Sequence, residues 1–187
     1  RDWHTFKQGS CGQAALHQEV RINSSDPANI PGEILTKGPN VLLGYYKNEA
    51  DTGQTIDADG WFHTGDLGLM DEDGNVFIKG RSKNMLLGSN GQNIYPEEIE
   101  DKLNSLPLVS ECLVVQRGEK LVGLVYPDLE EAKELGLNDA DIKNLMEENR
   151  KKLNELTPAY CKLSDIEILN EEFIKTPKRS IKRYLYK

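Results

Sequence analysis

The sequence predicts an α+β fold in which a β-rich region is followed by a smaller region of alternating helices and strands. Residues up to about Gly80 contain short strand-like runs separated by turn residues, whereas residues beyond Arg81 alternate between helical and strand patterns. The change of character falls between Arg81 and Asn84. We therefore predict a β-rich part over 1–80, a hinge over 81–84 and a compact α+β part over 85–187.

The β-rich part contains three strand-like stretches. Residues 19–25 alternate between apolar and polar side chains, and residues 31–38 are typical of a turn followed by a strand. Residues 60–80 predict two strands joined at Asp73-Gly74, a dipeptide that favours tight turns.

The second part predicts two helices and three strands. One helix begins at Pro96, because proline suits a first helical position and Glu97 and Glu98 favour the positive end of the helix dipole. A hairpin with its turn near Gly118 follows, then a helix from Asp139 to about Leu156, then a strand over 164–170. The apolar residues predicted to share one face of the longer helix are Ile142, Leu145, Met146, Leu153 and Leu156.

Charge and composition exclude several functional classes. The 187 residues carry a net charge of −8, and an acidic protein is a poor non-specific binder of nucleic acid, so we expect no nucleic-acid partner. Residues 175–187 hold six basic residues and no acidic one, a pattern typical of a solvated end but also suited to one phosphorylated ligand.

Three widely spaced cysteines, no signal peptide and no membrane-spanning run predict a cytoplasmic protein. The absence of an initial methionine leads us to expect a fragment of a longer chain.

Two aspartate-rich stretches and three histidines give no metal site. The stretches at 57–60 and 71–75 fail the spacing of a calcium-binding EF-hand loop and are predicted to be turns. The histidines have no partner at ligand spacing, and His63 is interpreted as a packed strand residue rather than a base. We predict that the chain holds no metal.

Two stretches are typical of ligand-binding segments. In "GWFHTGDLG" (60–68), Asp66 could accept hydrogen bonds from the vicinal hydroxyls of a ribose, although capping a turn would also explain it. In the run from Val76 to Glu100, a strand ends at Gly80-Arg81 and a polar loop with two glycines precedes a helix. A loop between two rigid elements is typical of a binding loop or a hinge.

Five stretches, taken in order, resemble motifs of the adenylate-forming superfamily, which includes acyl-CoA synthetases, luciferases and the adenylation domains of peptide synthetases. They are "GSCGQAA", "PGEILTKGPNVLLGYYKNEADT", "GWFHTGD", "GRSKNMLLGSNGQNIYPEEIE" and "KTPKRSIKRYL". The spacing of the fourth most resembles the branch of long-chain fatty acyl-CoA synthetases. The resemblance implies the end of a β-barrel-like subdomain followed by the small C-terminal α+β domain of this fold.

The resemblance also implies roles for individual residues. Asp66 and Arg81 would bind the ribose of ATP and of the acyl-adenylate, and Lys83 would be the hinge about which the C-terminal domain rotates. Gly88 and Gly91 would lie in a loop that lines the tunnel for the pantetheine arm of CoA.

The tail departs from the common motif, in which the catalytic lysine follows Ser-Gly. Alignment on Ser-x-Lys makes Lys182 the catalytic residue that bridges the substrate carboxylate and the α-phosphate. Alignment on a "KIKR" form puts Ser180 at that place instead, with Lys178 as the nearest alternative. We predict Lys182.

The implied function is ATP-dependent activation of a carboxylic acid, expected to be a long-chain fatty acid, to acyl-AMP, followed by transfer to CoA. ATP, Mg²⁺ and CoA are the implied cofactors, and the partner is a fatty acid or another small carboxylic acid. The chain alone is expected to be inactive. The alternatives are an adenylation enzyme that loads a carrier protein and a non-catalytic binding module of the same fold.

Overall fold

A computed structural model describes residues 6–186, and these form a mixed α+β structure of two compact units. The first unit ends at Asn84 and the second begins at Met85.

The first unit is built on a four-stranded antiparallel sheet. Its strands are β1 (Glu19–Asn23), β2 (Gly32–Lys37), β3 (Phe62–Met70) and β4 (Val76–Arg81), and they pair in this order. The predicted turn between β3 and β4 is present, and Gly74 within it has a positive φ of 79°. The core is small: Ile22, Ile34 and Val76 form one buried cluster with Val20 and Met70 packed against it, and Leu35 is also buried.

The two aspartate-rich stretches are turns, as predicted. Asp57 accepts hydrogen bonds at Oδ1 from the backbone N–H groups of Asp59 and Trp61, at 3.0 and 2.8 Å. Asp71 Oδ1 likewise accepts hydrogen bonds from the backbone N–H groups of Asp73 and Asn75, at 3.0 and 2.8 Å. These carboxylates therefore hold the backbone in turns.

A short helix, α1 (Glu49–Thr55), lies in the region that the sequence pattern predicted as strands and turns. Its N-cap, Asn48, accepts a hydrogen bond from the backbone N–H of Asp51. None of the residues of α1 is buried, and the segment has no apolar periodicity. The sequence pattern therefore gave no signal for this helix.

The second unit contains two small sheets. In the larger one, β7 (Val109–Arg117) and β8 (Lys120–Pro127) form the predicted hairpin around Gly118, and β9 (Leu163–Ile168) pairs with β8 in parallel. The smaller sheet is a hairpin of β5 (Leu86–Leu87) and β6 (Asn93–Ile94).

The helices of this unit are α2 (Pro96–Asn104), α3 (Leu129–Glu134) and α4 (Asp139–Leu156). The starts of α2 and α4 agree with the sequence prediction. Of the apolar residues predicted to share one face of α4, Leu156 is 65% exposed, because the helix ends there and Thr157 takes an extended conformation. Helix α3 was not predicted, since Ala132 is its single buried residue.

The larger sheet is covered on both faces. Neighbouring residues along a strand point to opposite faces, and Cys112 and Val114 of β7 belong to the main core with α2 and α4. Leu113 and Val115 belong instead to a second cluster that contains Phe173 of the C-terminal tail. Phe173 of the segment after β9 is therefore packed onto the sheet with Ile181 and Tyr186, whereas residues 177–180 of the same segment are exposed.

Candidate functional site

Asp66 and Arg81, the two predicted ribose-binding residues, form an ion pair. They are directly opposite each other in the pairing of β3 with β4, and Arg81 Nε lies 2.8 Å from Asp66 Oδ1. Arg81 Nη1 also donates a hydrogen bond to the backbone oxygen of Thr64 at 3.2 Å. The side chains are 60% and 27% exposed for Arg81 and Asp66, so a ligand can reach both.

The local backbone fixes the position of Asp66. Its N–H donates to Thr64 Oγ1 at 3.0 Å, and the Thr64 hydroxyl donates to the backbone oxygen of Ile34 on β2 at 2.7 Å. Gly65 between them has a φ of 71°, which a glycine adopts without strain. Asp66 lies within a strand, so the alternative in which it merely caps a turn is wrong.

Glu33 is a residue of this region that the sequence reasoning did not single out. Its Oε1 accepts a hydrogen bond from the N–H of Gly65 at 3.0 Å, and its Oε2 lies 2.8 Å from His63 Nδ1. His63 Nε2 is 3.7 Å from Asp57 Oδ2. The half-buried His63 thus lies between two carboxylates, and Glu33 links β2 to the segment that carries Asp66. The Gly-Glu pair at 32–33 was the available signal.

The two predicted loop glycines lie in the turn between β5 and β6. Gly88 N–H donates to the backbone oxygen of Gln92 at 2.8 Å, and Gly91 N–H donates to the backbone oxygen of Gly88 at 2.9 Å. Gly91 has a φ of 75°, and a Cβ added there would meet nothing within 4 Å. The turn therefore requires glycine at 91 for its backbone conformation and not for lack of space.

A cleft of about 330 Å³ opens beside this glycine turn. The turn provides one wall, and two other walls come from the β7–β8 hairpin and from the segment around the start of β9. Two lysines, Lys120 and Lys162, one glutamate, Glu119, and the aromatic ring of Tyr160 are among the lining side chains, so cations outnumber anions by one. A cleft with cations and a ring can accept an anionic ligand that also has a flat aromatic group.

Lys83, the predicted hinge residue, lies in a 3-10 turn over Ser82–Asn84, at the end of the first unit. Its rotation stays a prediction.

The predicted catalytic region of the tail is a tight turn. Lys175 and Ile181 form an isolated β-bridge, and within it the N–H groups of Thr176 and Arg179 donate to Ser180 O and Thr176 O, both at 2.8 Å. Residues 177–180 are exposed. Lys178 therefore lies at the tip of the turn, whereas Lys182 lies at its base, where its N–H donates to Ile174 O at 2.9 Å.

Arg179 has a φ of 62°, in the left-handed region that favours glycine. Since the family motif has Ser-Gly before its lysine, this backbone matches the alignment that places Arg179 at the glycine and Ser180 at the lysine. The backbone at Arg179 therefore fits the alignment on Ser180, and the choice of Lys182 over Lys178 stays a prediction.

Within residues 6–186, no group of three or more His, Cys, Asp or Glu side chains could hold a metal ion. The same part of the chain has no helix with the length and apolarity needed to cross a membrane.

The chain is similar in sequence to known CoA ligases. It is 43% identical over 127 residues to a 2-succinylbenzoate–CoA ligase of Bacillus cytotoxicus, an alignment that covers 66% of this chain and 26% of that protein. It is 42% identical over 130 residues to an indoleacetate–CoA ligase of Aromatoleum aromaticum, covering 65% of this chain and 25% of that protein. The chain thus spans about a quarter of the length of the curated relatives it matches.

Solved structures show the same similarity. The anthranilate CoA ligase AuaEII in complex with anthranoyl-AMP has a TM-score of 0.80 and 25% identity, over 97% of this chain and 34% of that one. ATP-bound MatB from Rhodopseudomonas palustris has a TM-score of 0.69 and 26% identity, over 95% and 35% of the two chains. Residues 83–186 match the family described as the AMP-binding enzyme C-terminal domain, and this protein belongs to that family.

Proposed function

We propose that this chain is the C-terminal part of an enzyme that activates a small carboxylic acid with ATP and transfers the acyl group to CoA. The observation that carries the proposal is the Asp66–Arg81 pair, with a Nε–Oδ1 distance of 2.8 Å on an accessible edge of β3 and β4. It brings together the two residues that the resemblance assigns to the ribose. The two sequence relatives, both CoA ligases, support the same activity.

The acid substrate is proposed to be aromatic. The sequence predicted a long-chain fatty acid from the spacing around Gly88 and Gly91, but the relatives are named for 2-succinylbenzoate and indoleacetate. These names give the fatty-acid prediction no support, so aryl acids are the first substrates to test.

In the proposed reaction, a carboxylate oxygen of the acid attacks the α-phosphorus of ATP and pyrophosphate leaves. Asp66 would accept hydrogen bonds from the ribose hydroxyls, and Arg81 would donate to the same sugar. The ribose hydroxyls would then donate hydrogen bonds to the exposed carboxylate of Asp66, which without ligand contacts Arg81. These contacts orient the nucleotide and do not themselves move a proton.

The tail turn over 176–182 would supply the cation for this first step. Two anions repel as the carboxylate approaches the phosphate, so a positive charge between them lowers the barrier. We retain Lys182 as the proposed residue and test it against Lys178, which lies at the exposed tip. A Lys182→Ala variant that loses exchange activity while Lys178→Ala keeps it would support this choice. A gain of activity in Ser180→Lys would instead assign position 180.

The second step is proposed to use the cleft beside the glycine turn. The CoA sulfur attacks the acyl carbon and AMP leaves, while Lys120 and Lys162 pair with CoA phosphates and Tyr160 contacts its adenine. Gly88 and Gly91 allow the pantetheine arm to pass close to the backbone. Lys162→Ala should raise the KM for CoA and leave the first step unchanged.

The segment over 81–84, with Lys83 at its centre, is proposed to act as the hinge that lets the second unit serve both steps. Lys83→Pro should restrict this motion and slow thioester formation while pyrophosphate exchange persists. The proposed enzyme also uses Mg²⁺, which neutralises phosphate charge. Because the described residues provide no cluster of ligands for it, we assign no step of this chain to the ion.

The test is carboxylate-dependent exchange of pyrophosphate into ATP by the longer protein that carries this chain. Aryl acids, fatty acids of several lengths and amino acids are compared, and CoA is then added. Exchange with an aryl acid and formation of its CoA thioester is the expected result. Exchange with amino acids would point to loading of a carrier protein, and no exchange with any acid would favour a non-catalytic binding module.

A further inference from the structure

The C-terminal tail is attached to the larger sheet by apolar contacts. Phe173 is 3% exposed among side chains of β7 and β8, and its ring meets that of Tyr186 edge-on at 5.1 Å between centroids. The Tyr186 hydroxyl accepts a hydrogen bond from the N–H of Ile174 at 2.8 Å. The two ends of the tail therefore contact each other, and residues 175–182 lie between them.

A buried ion pair holds the tail at the base of the turn. Glu100 of α2 accepts a hydrogen bond at Oε1 from the N–H of Val114 at 2.6 Å, and its Oε2 accepts one from Arg183 Nη2. Arg183 Nη1 donates to Val114 O at 3.4 Å, and Glu97 Oε1 lies 3.9 Å from Nη2. The side chains of Glu100 and Arg183 are 10% and 20% exposed.

A second ion pair holds the other side of the turn. Lys175 Nζ lies 2.6 Å from Glu111 Oε1 on β7 and 3.3 Å from Glu172 Oε2. Lys175 and Arg183 thus flank the exposed turn, and each contacts a carboxylate on the body of the second unit. Of the two pairs, Glu100–Arg183 is the more buried and shares its contacts with the backbone of Val114.

We propose that Glu100 and Arg183 are positioning residues that fix the tail turn over 176–182 and so set where its cation is presented. Glu100 lies on α2, which is separated from the glycine turn by β6, and Arg183 is the neighbour of Lys182. The contact therefore ties the tail turn, to which the proposed function assigns the first step, to helix α2. The catalytic consequence rests on that proposed function, whereas the attachment of the tail does not.

The attachment is tested by hydrogen exchange on the 187-residue chain. Arg183→Met should speed exchange about tenfold at the amides of Thr176, Arg179 and Lys182, whose hydrogen bonds close the turn, while amides of β8 stay within about threefold. Should Arg183→Met not fold, Glu100→Gln carries the same test, since glutamine keeps the size of the side chain and an acceptor for Val114. Arg117→Met, which breaks the exposed Arg117–Glu167 pair, is the control and should leave the turn unchanged. Unaltered exchange in the turn of a folded variant would overturn the proposal.

The consequence for catalysis is tested in the longer protein by measuring the two steps separately. Arg183→Met should lower pyrophosphate exchange about tenfold, while thioester formation from added acyl-adenylate and CoA changes less than about threefold. Arg183→Lys keeps the charge and should recover part of the exchange rate. A general loss of structure would lower both steps together and would contradict a positioning role. If the unaltered protein shows no exchange with any acid, the proposed function fails, while the hydrogen-exchange result still decides the attachment.

Discussion

The molecule contains two arginine–carboxylate pairs whose surroundings differ sharply. Arg81 and Asp66 lie in the first unit with side chains 60% and 27% exposed, and that unit has few buried apolar residues. Arg183 and Glu100 lie in the second unit at 20% and 10% exposed, beside a much larger core. The same kind of ion pair therefore lies at the surface in the first unit and in the interior in the second.

The difference in burial gives the two pairs different tasks. An exposed pair contributes little to stability because water screens it, so a ligand can replace its contacts at low cost. A buried pair has been removed from water, and losing one member leaves the other charge without compensation. We infer that the first pair is suited to binding a ligand and the second to holding a segment in place.

The largest expected effect comes from breaking the buried pair. Glu100→Ala should lower the free energy of unfolding by about 3 kcal/mol, because Arg183 then keeps only the more distant carboxylate of Glu97, at 3.9 Å. A double-mutant cycle with Arg183→Met, followed by urea unfolding of the 187-residue chain, should give a coupling of about 1–3 kcal/mol. The same cycle on the exposed Arg117–Glu167 pair should give less than about 1 kcal/mol. Equal couplings would mean that burial does not distinguish the pairs.

Removing the carboxylate of the exposed pair should affect activity and spare the fold. Asp66→Ala in the longer protein should lower pyrophosphate exchange about 100-fold, or about 2.7 kcal/mol, because the ribose loses its acceptor. The unfolding free energy of the 187-residue chain should change by less than about 0.5 kcal/mol. A large loss of stability would assign a structural role to Asp66.

The buried pair also predicts a pH dependence. Burial raises the pKa of Glu100, and Arg183 opposes this shift, so Arg183→Met should raise that pKa further. A raised folded-state pKa gives stability that is present below the unfolded-state pKa and is lost as the pH rises through the folded-state pKa. Arg183→Met should lower the free energy of unfolding relative to the unaltered chain. This loss, measured by urea unfolding, should be about 1 kcal/mol smaller at pH 5 than at pH 8. A loss independent of pH would show that Glu100 does not take up a proton.

The smallest effect is expected at the glycine turn. Gly91→Ala should cost about 1 kcal/mol of unfolding free energy because alanine is strained at a φ of 75°. Gly53→Ala is a matched control. Gly53 lies in helix α1, a Cβ added there also meets nothing within 4 Å, and its φ is not positive. Thermal unfolding of both variants should show loss for Gly91→Ala and no loss, or a gain, for Gly53→Ala.

The sequence predicted those parts of the fold that rest on local patterns. The turns at Gly74 and Gly118 and the start of α2 at Pro96 follow from residues adjacent in the chain. Helices α1 and α3 were not predicted, because their caps at Asn48 and Asp128 are local signals but their faces bury almost nothing. The spacing of Leu156 fits the apolar face of α4, but the residue is exposed because the helix ends there.

The candidate site was predictable only in part, for a related reason. The resemblance singled out Asp66 and Arg81, and their pairing across β3 and β4 brings them together. The link from Glu33 to Gly65 and the contact of Glu100 with Arg183 join residues 32 and 83 positions apart, and no local pattern reports such pairs. The packing of the basic tail on the sheet depends on Phe173 and Tyr186. The sequence analysis considered only the charges of that segment and so did not predict this packing.

The most direct test of the account compares Arg81→Met and Arg183→Met in the same 187-residue chain by urea unfolding. The account predicts that Arg183→Met loses about 3 kcal/mol of unfolding free energy and that Arg81→Met loses less than about 0.5 kcal/mol. Similar losses in the two variants, or a larger loss for Arg81→Met, would contradict the division between an exposed ligand-binding pair and a buried positioning pair.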